Sequence, residues 1–538
     1  MENNGNPAQR LYEIAKEASS FEPSERSLYV WGRIFEISPT EQKKFTRDEE
    51  KKFLASFDQF LQKKDHIARL QFLLWNENTE EAKRLLSRVP SNARMVAEVR
   101  LAFLNGEQDA LQKMSDLSPK LRQDPGLLYE KARWHRKEKE FEEAAKILTK
   151  TPSTPAYAEK WWKERSYIAR ELIELRDYQS AYKVLNHHAI QPGPECYGDA
   201  EWLMGWLALR FLNKPNAART HFETLHANVE SAFSKARGAY WAGRAHEAQK
   251  NIPLAAKWYG KASKYKTIYY GQLAAAKLQE EPYPSFSSTP RATAEEKTRF
   301  EQKDLVKVAH ILKKLGKEAA IELSKFLSHI ATNASTLGER ELAVHLAHKL
   351  SPYDVVWTAK KAGHKEPVLL TKAYPVYDMP QKGQNLPEKA FIMAIAYKES
   401  LFNPKAYSPA NAKGLLQVLP KTAASVAESI GMAHKENQLF DPDHNLLLGS
   451  VFLSQLLNDF DYSYVLASAA YNAGPGRVNR WLKVFGDPRN GEVDVIDWIE
   501  LIPYAETRHY VMRVLENITN YRSLKGPPQK TLIHDLKS

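Results

Sequence analysis

The sequence predicts an all-α protein in three parts: a long N-terminal stretch of repeated helix pairs, a small helical module, and a C-terminal domain that holds the candidate site. Three observations predict it. Glycine is sparse, 23 in 538 residues, and long stretches hold neither Gly nor Pro, so little interrupts a helix. Apolar residues recur at i, i+3, i+4 and i+7 almost throughout. The first half also repeats a helix pair at fixed spacing.

The repeat sets the first element, residues 1–290. The segments "EEAAKILTK" (142–150), "QSAYKVLNHH" (179–188), "PNAARTHFETL" (215–225) and "PLAAKWYGKA" (253–262) place Ala144, Ala181, Ala218 and Ala255 at intervals of 37 residues. Each follows an aromatic-bearing helix, and a small residue lets the second helix of a pair pack closely on the first. This is the pattern of a two-helix solenoid near the tetratricopeptide length. "TEEAKRLLSRV" (79–89) is an earlier, off-register member. The linker "EEPYPSFSSTPRATAEE" (280–296) breaks the pattern, and residues 291–370 follow as the small helical module. "YPVYDMPQKGQNLPEKA" (374–390) brings three more prolines and opens the third part, residues 371–525; residues 526–538 read as a loosely ordered tail.

Composition excludes several classes. Apolar residues make up 43% and charged residues 26%, an ordinary globular balance. No apolar run approaches the roughly 18–20 residues that span a bilayer. The first twenty residues show no basic segment followed by an apolar one, so the chain reads either as cytoplasmic or as a form whose export signal has been removed. Cys196 stands alone, which excludes an internal disulfide. His187, His188, His434 and His444 have no metal-ligand spacing, so neither metal nor cofactor is expected. The net charge of +12 favours polyanionic partners. However, Lys and Arg are dispersed beside Glu along helices, and no zinc-finger, RRM or KH signature occurs, so nucleic acid is not expected. A carboxylate-bearing polymer or an anionic surface fits as well.

The chemistry centres on Glu399. Between it and Glu428 the chain has no carboxylate, although about a quarter of all residues are charged. "NLPEKAFIMAIAYKES" (385–400) reads as a helix, capped by Asn385, with Pro387 and Glu388 in its first turn. Phe391, Ile392, Ile395 and Ala396 form its apolar stripe. Glu399 falls on that stripe at the C-terminal end, just before Asn403-Pro404 stops the helix. Desolvation and the negative end of the helix dipole both disfavour ionisation there, which raises the carboxyl's pKa and suits a general acid. A capping or surface Glu is the plainer alternative.

Four motifs follow in order: "ES" (399–400), "GLLQVLP" (414–420), "AYNAG" (470–474) and "IPYAETRHYV" (502–511). Together they resemble the soluble lytic transglycosylases, which cleave bacterial peptidoglycan. "YWAGRA" (240–245) and "IYYGQLAAAKL" (268–278) are similar to that family's helical superdomain. The resemblance implies a ring-like solenoid over 1–290, a linker domain over 291–370 and a lysozyme-like catalytic domain over 371–525. It implies that Glu399 acts as acid and then base, that Ser408 orients it, and that Gln417 and Asn472 hold the sugar. Tyr471 would stand near the sugar carbon where charge develops, and Glu506 would assist. Two departures are visible: Leu416 stands where the family commonly has Met, and the export signal is missing.

The implied activity is an exotransglycosylase on peptidoglycan strands, in the periplasm, with no cofactor. The chain would act as a monomer, peripheral to a membrane at most, with cell-wall synthesis proteins as an open class of partner. Two alternatives remain at this stage. One is a hydrolytic muramidase of goose-type lysozyme kind; the other is a helical scaffold with a non-catalytic glycan-binding domain.

Overall fold

The computed structural model describes residues 46–537 apart from 154, 187, 287–290, 349, 364–370 and 380–385. The described residues form α-helices and short 3-10 turns, with two isolated antiparallel bridges, Tyr407 to Lys413 and Lys413 to Val418. The all-α expectation holds. The chain packs as two compact units that divide between Gln191 and Pro192.

The repeat is present in the backbone. The second helix of each pair begins at Phe141, Tyr178, Pro215 and Ile252, again 37 residues apart. Ala144, Ala181, Ala218 and Ala255 are all buried, as close packing of a helix pair requires. In the first unit, the Arg165 guanidinium donates to the carbonyls of Leu148 (2.7 Å) and Val184 (2.5 Å), each near the end of a second helix. Helix-end carbonyls lack intrahelical donors, so one buried arginine satisfies two successive repeats. In the second unit, the helices Glu195–Arg210 and Pro215–Asn228 approach so closely that a Cβ on Gly205 would lie 2.6 Å from the Phe222 ring.

The second unit also carries the small module and the C-terminal part. Phe300, Val306, Leu323, Leu327, Val344 and Val355 share one core cluster, so the module has an interior of its own. The expected boundaries near 290 and 370 fall at segments outside the described residues. The C-terminal helix Ala505–Ser523 is buried along most of its length. The helix Lys389–Glu399 packs along one side of it. On another side, the Glu516 carboxylate accepts the Tyr269 N–H at 2.8 Å, and Asn520 donates to the Thr267 carbonyl at 3.0 Å. Asp497 accepts from Trp206 Nε1 at 3.0 Å and from Arg210. Polar groups buried this way need their partners, so helices from the repeat region are structurally part of the surroundings of the site.

Two expectations need correction. The tail is not loosely ordered in its described part. Leu532 and Leu536 are buried, and Asp535 pairs with Arg522 at 2.8 Å. Arg522 also holds Glu388, just ahead of the Lys389–Glu399 helix. The tail therefore clasps the two central helices. Replacing Asp535 by Ala leaves a nearly buried guanidinium one partner short, and is expected to destabilise this unit by about 2 kcal/mol. A thermal melt beside Lys537→Ala, at the exposed end of the tail, would show it. The Glu399 helix also begins later than expected. Asn385 lies outside the described residues, and the helix starts at Lys389 because Glu388 is held in extended backbone (ψ 144°) with its carboxylate on Arg522 and Tyr464.

Candidate active site

Glu399 is the last residue of a helix whose apolar positions are buried on every side. Phe391 through Ala396 are all 0% exposed, and Glu399 is partly exposed at the end. The chain then turns sharply, with Leu401 and Phe402 in left-handed backbone (φ 50° and 64°). This turn directs Glu399 into a cleft of about 1030 Å³. Ser408 and Gln417 line the same cleft, as do Lys398, Lys405 and Arg513.

The opposite wall is the loop 406–418, and its shape is fixed by buried polar groups. Ser400 Oγ donates to the Leu415 carbonyl at 2.7 Å. The Asn445 side chain accepts the Leu416 N–H at 2.7 Å and donates to the carbonyls of Lys413 (2.8 Å) and Leu439 (2.9 Å). One fully buried amide thus satisfies three backbone groups, which no apolar residue of that size could do. Tyr471 Oη donates to the Leu416 carbonyl at 2.7 Å. Gly414 has φ +75°, and a Cβ there would lie 2.1 Å from the Leu439 carbonyl. Leu416 is fully buried, and a Cβ on Gly449 would lie 2.4 Å from its Cδ1, so the apolar side chain at this motif position is close-packed.

The electrostatics favour an acid. Burial is the largest influence on Glu399 and lifts its pKa to about 7. Tyr510 Oη donates to Glu399 Oε1 at 2.8 Å and, with Lys398, pulls in the other direction; Glu506 adds to the rise. The Tyr510 bond is stronger to the ionised carboxylate, so Tyr510→Phe is expected to move the basic limb of a pH–rate profile upward by roughly half a unit to one unit. The profile also separates this effect from simple loss of folded protein, which lowers the whole curve.

The predicted residues meet in part. Glu399, Ser408 and Gln417 share the cleft. Ser408 Oγ accepts the Ala412 N–H at 3.0 Å, closing the turn of the wall. Gln417 (φ 47°) donates through Nε2 to the carbonyls of Ala406 and Gly414 at 3.1 and 3.0 Å. Tyr471 and Asn472 brace the walls: Asn472 Oδ1 accepts from Thr507 Oγ1 at 2.7 Å. Glu506 is exposed in the first turn of the C-terminal helix and is felt at Glu399 as charge. Tyr510 and Asn445 were missed. Tyr510 lies inside the quoted "IPYAETRHYV" motif, eight residues after Ile502, and that placement was the available signal. Asn445 stands in an apolar helix, "HNLLLGSVFL", where a lone amide among buried residues is itself a signal.

A carboxyl whose pKa is raised to about 7 thus stands at the end of a buried helix and faces a cleft walled by a braced loop. Residues 379–492 match the family model described as "Transglycosylase SLT domain". The soluble lytic murein transglycosylase of Escherichia coli K12 is 40% identical over 146 residues, 27% of this chain and 22% of that protein. The match thus spans about a fifth of that relative's length. The membrane-bound lytic murein transglycosylase C of Serratia proteamaculans is 30% identical over 207 residues, 35% of this chain and 54% of that protein. Two solved structures share the fold across nearly the whole chain. An inactive mutant of the lytic transglycosylase Slt from Pseudomonas aeruginosa superposes with a TM-score of 0.67 at 21% identity, covering 97% of this chain and 86% of that one. The 70 kDa soluble lytic transglycosylase of E. coli gives 0.64 at 20%, covering 99% and 83%. Among the described residues no helix is long and apolar enough to cross a membrane.

Proposed function

We propose that this protein is a lytic transglycosylase that cleaves the β-1,4 bond between N-acetylmuramic acid and N-acetylglucosamine in peptidoglycan, in the periplasm, leaving 1,6-anhydromuramyl ends. The observation that carries the proposal is the state of Glu399. Its pKa of about 7 keeps a large share of the carboxyl protonated at neutral pH, as a general acid requires.

In the reaction Glu399 gives its proton to the bridging oxygen, and the bond from the muramic C1 to that oxygen breaks. The C6 hydroxyl of the same sugar then bonds to C1 and returns its proton to Glu399. Acid and base are one group, and the internal nucleophile needs no activated water because its effective molarity is high. Ordinary glycosidases require a second carboxylate for that work. The hydrogen bond from Tyr510 steadies the carboxylate formed midway. Gln417 and the loop it braces would border the sugar. Lys398 and Lys405 set positive charge in the cleft suited to the carboxylates of stem peptides, while Arg513 is paired with Glu516 at 2.8 Å.

One observation favours a second route. The charge of Glu506 reaches Glu399, so a carboxylate near the acid is available to activate water, which would make the protein a hydrolytic muramidase. Mass spectrometry of the soluble products from purified peptidoglycan decides between them. Anhydro-muropeptides without reducing ends support the transglycosylase. Reducing muramic acid ends support hydrolysis, and Glu506→Gln should then abolish it.

A further inference from the structure

A second groove lies on the small helical module, and nothing in the chemistry above uses it. It has a volume of about 700 Å³ and runs between the helices Ala320–Thr332 and Pro352–Ala362. Each wall is built at helical spacing. One carries hydroxyls one turn apart: Ser324, Ser328 and Thr332. The other carries Tyr353 and Trp357, whose rings are nearly parallel, 11° apart with centroids separated by 6.2 Å. Both rings are partly exposed.

The aromatic wall is held in place. Trp357 Nε1 donates to Ser328 Oγ at 2.8 Å, which fixes the indole against the hydroxyl ladder. Lys361 sits 4.7 Å from the Trp357 ring centre and, with the exposed Lys325, sets positive charge at the rim. Asp354 is engaged by Ser351 Oγ at 2.6 Å at the start of its helix. Ser328 Oγ and Thr332 Oγ1 donate to the carbonyls of Ser324 (2.9 Å) and Ser328 (2.8 Å), so these two hydroxyls face the groove as acceptors. The groove therefore combines flat apolar rings, a row of hydroxyl oxygens and a cationic edge. A pyranose ring has the complementary form: a C–H face that lies on an aromatic ring and a rim of hydroxyls that exchange hydrogen bonds.

The position identifies the occupant. Tyr353 lines this groove and also the cleft that holds Glu399. The two depressions thus share a wall residue, and a polymer leaving the cleft past Tyr353 meets Trp357 next. A free monosaccharide or a peptide would have no need of that continuity. We propose that the Tyr353–Trp357 groove is a distal glycan-binding platform that holds a part of the strand remote from the bond being cut, with the lysines at its rim facing stem-peptide carboxylates. The proposal rests on the peptidoglycan substrate argued above.

The test compares strand length. In the Glu399→Gln background, which is not expected to turn over, binding is measured by calorimetry for muropeptide tetrasaccharides and for peptidoglycan strands several times longer. Trp357→Ala should weaken binding of the long strands about tenfold and leave the tetrasaccharides unchanged. Trp357→Phe should restore most of the loss. Because Trp357 is partly buried and its loss can disturb the module, Ser324→Gln provides a second probe: it fills the groove from the other wall without removing a ring, and should give the same length-selective loss. With Glu399 intact, both variants should raise KM for long strands at constant kcat. Equal affinities of wild type, Trp357→Ala and Ser324→Gln for long strands overturn the platform. If wild type releases no product from peptidoglycan, the lytic function falls; length-selective binding through Trp357 then still upholds the platform.

Discussion

Replacing Glu399 by Gln is expected to lower turnover of peptidoglycan by about 10³-fold, the scale of a lost general acid. The exchange is nearly isosteric, and the Tyr510 hydroxyl can still donate to the amide oxygen. The wild-type rate should fall as pH rises through about 7, because the acid form is the active one. Stability carries the same signature with a defined sign. The folded-state pKa lies above the ordinary carboxyl value of 4.5, so the folded state binds this proton more tightly than the unfolded chain. Its contribution to stability is complete below about pH 4.5 and is lost as pH rises through about 7. Gln carries no such dependence. Glu399→Gln should therefore be more stable than wild type at pH 8, by on the order of 1–2 kcal/mol once partial exposure is allowed for, and differ little at pH 4. Parallel melts at the two pH values check it. A group that costs stability at neutral pH in exchange for an acid in the cleft is the expected trade at a reactive site.

Gly414→Ala is expected to produce the largest structural effect of any single methyl in the C-terminal part. The new Cβ would stand 2.1 Å from the Leu439 carbonyl oxygen and 2.4 Å from Asn445 Nδ2, at a backbone φ of +75°. Left-handed backbone costs a non-glycine residue about 1–2 kcal/mol. Moving Asn445 away from three backbone partners adds the penalty of unsatisfied buried groups, so the total approaches about 4 kcal/mol. The melting temperature of this unit should fall by about 5 °C. Turnover should fall with it, because the loop that carries Gln417 loses its brace. Gly476→Ala is the control. It meets nothing within 4 Å and should leave both quantities unchanged.

What the sequence made legible follows the range of the interactions. The 37-residue repeat and the buried stripe ending in Glu399 depend on side chains within a few turns of one helix, and both stand in the structure. The raised pKa of Glu399 was legible for the same reason, since burial at the end of an apolar helix is a local property. Tyr510 and Asn445 were not legible as partners, because they reach their targets across 111 and 29 residues of chain. The tail was misread for a related reason. "KGPPQKTLIHDLKS" has the composition of a solvated end, yet Leu532, Asp535 and Leu536 suffice to dock it once Arg522 is in place. Glu388 was read as a first-turn acid serving the helix dipole. Its carboxylate instead joins Arg522, more than 130 residues away in the chain. The acid-free stretch after Glu399 is real in sequence, but space brings Glu506 back toward it.

The most direct test is the protonation of Glu399 itself. Infrared difference titration of wild type against Glu399→Gln isolates the one carboxyl absorbance the two proteins do not share. A protonated-carboxyl band that disappears with a midpoint near pH 7 is the expected result, and in Tyr510→Phe the midpoint should move higher. A midpoint near 4.5 would contradict the central claim, since Glu399 would then be ionised at neutral pH and unable to donate the proton that starts the reaction.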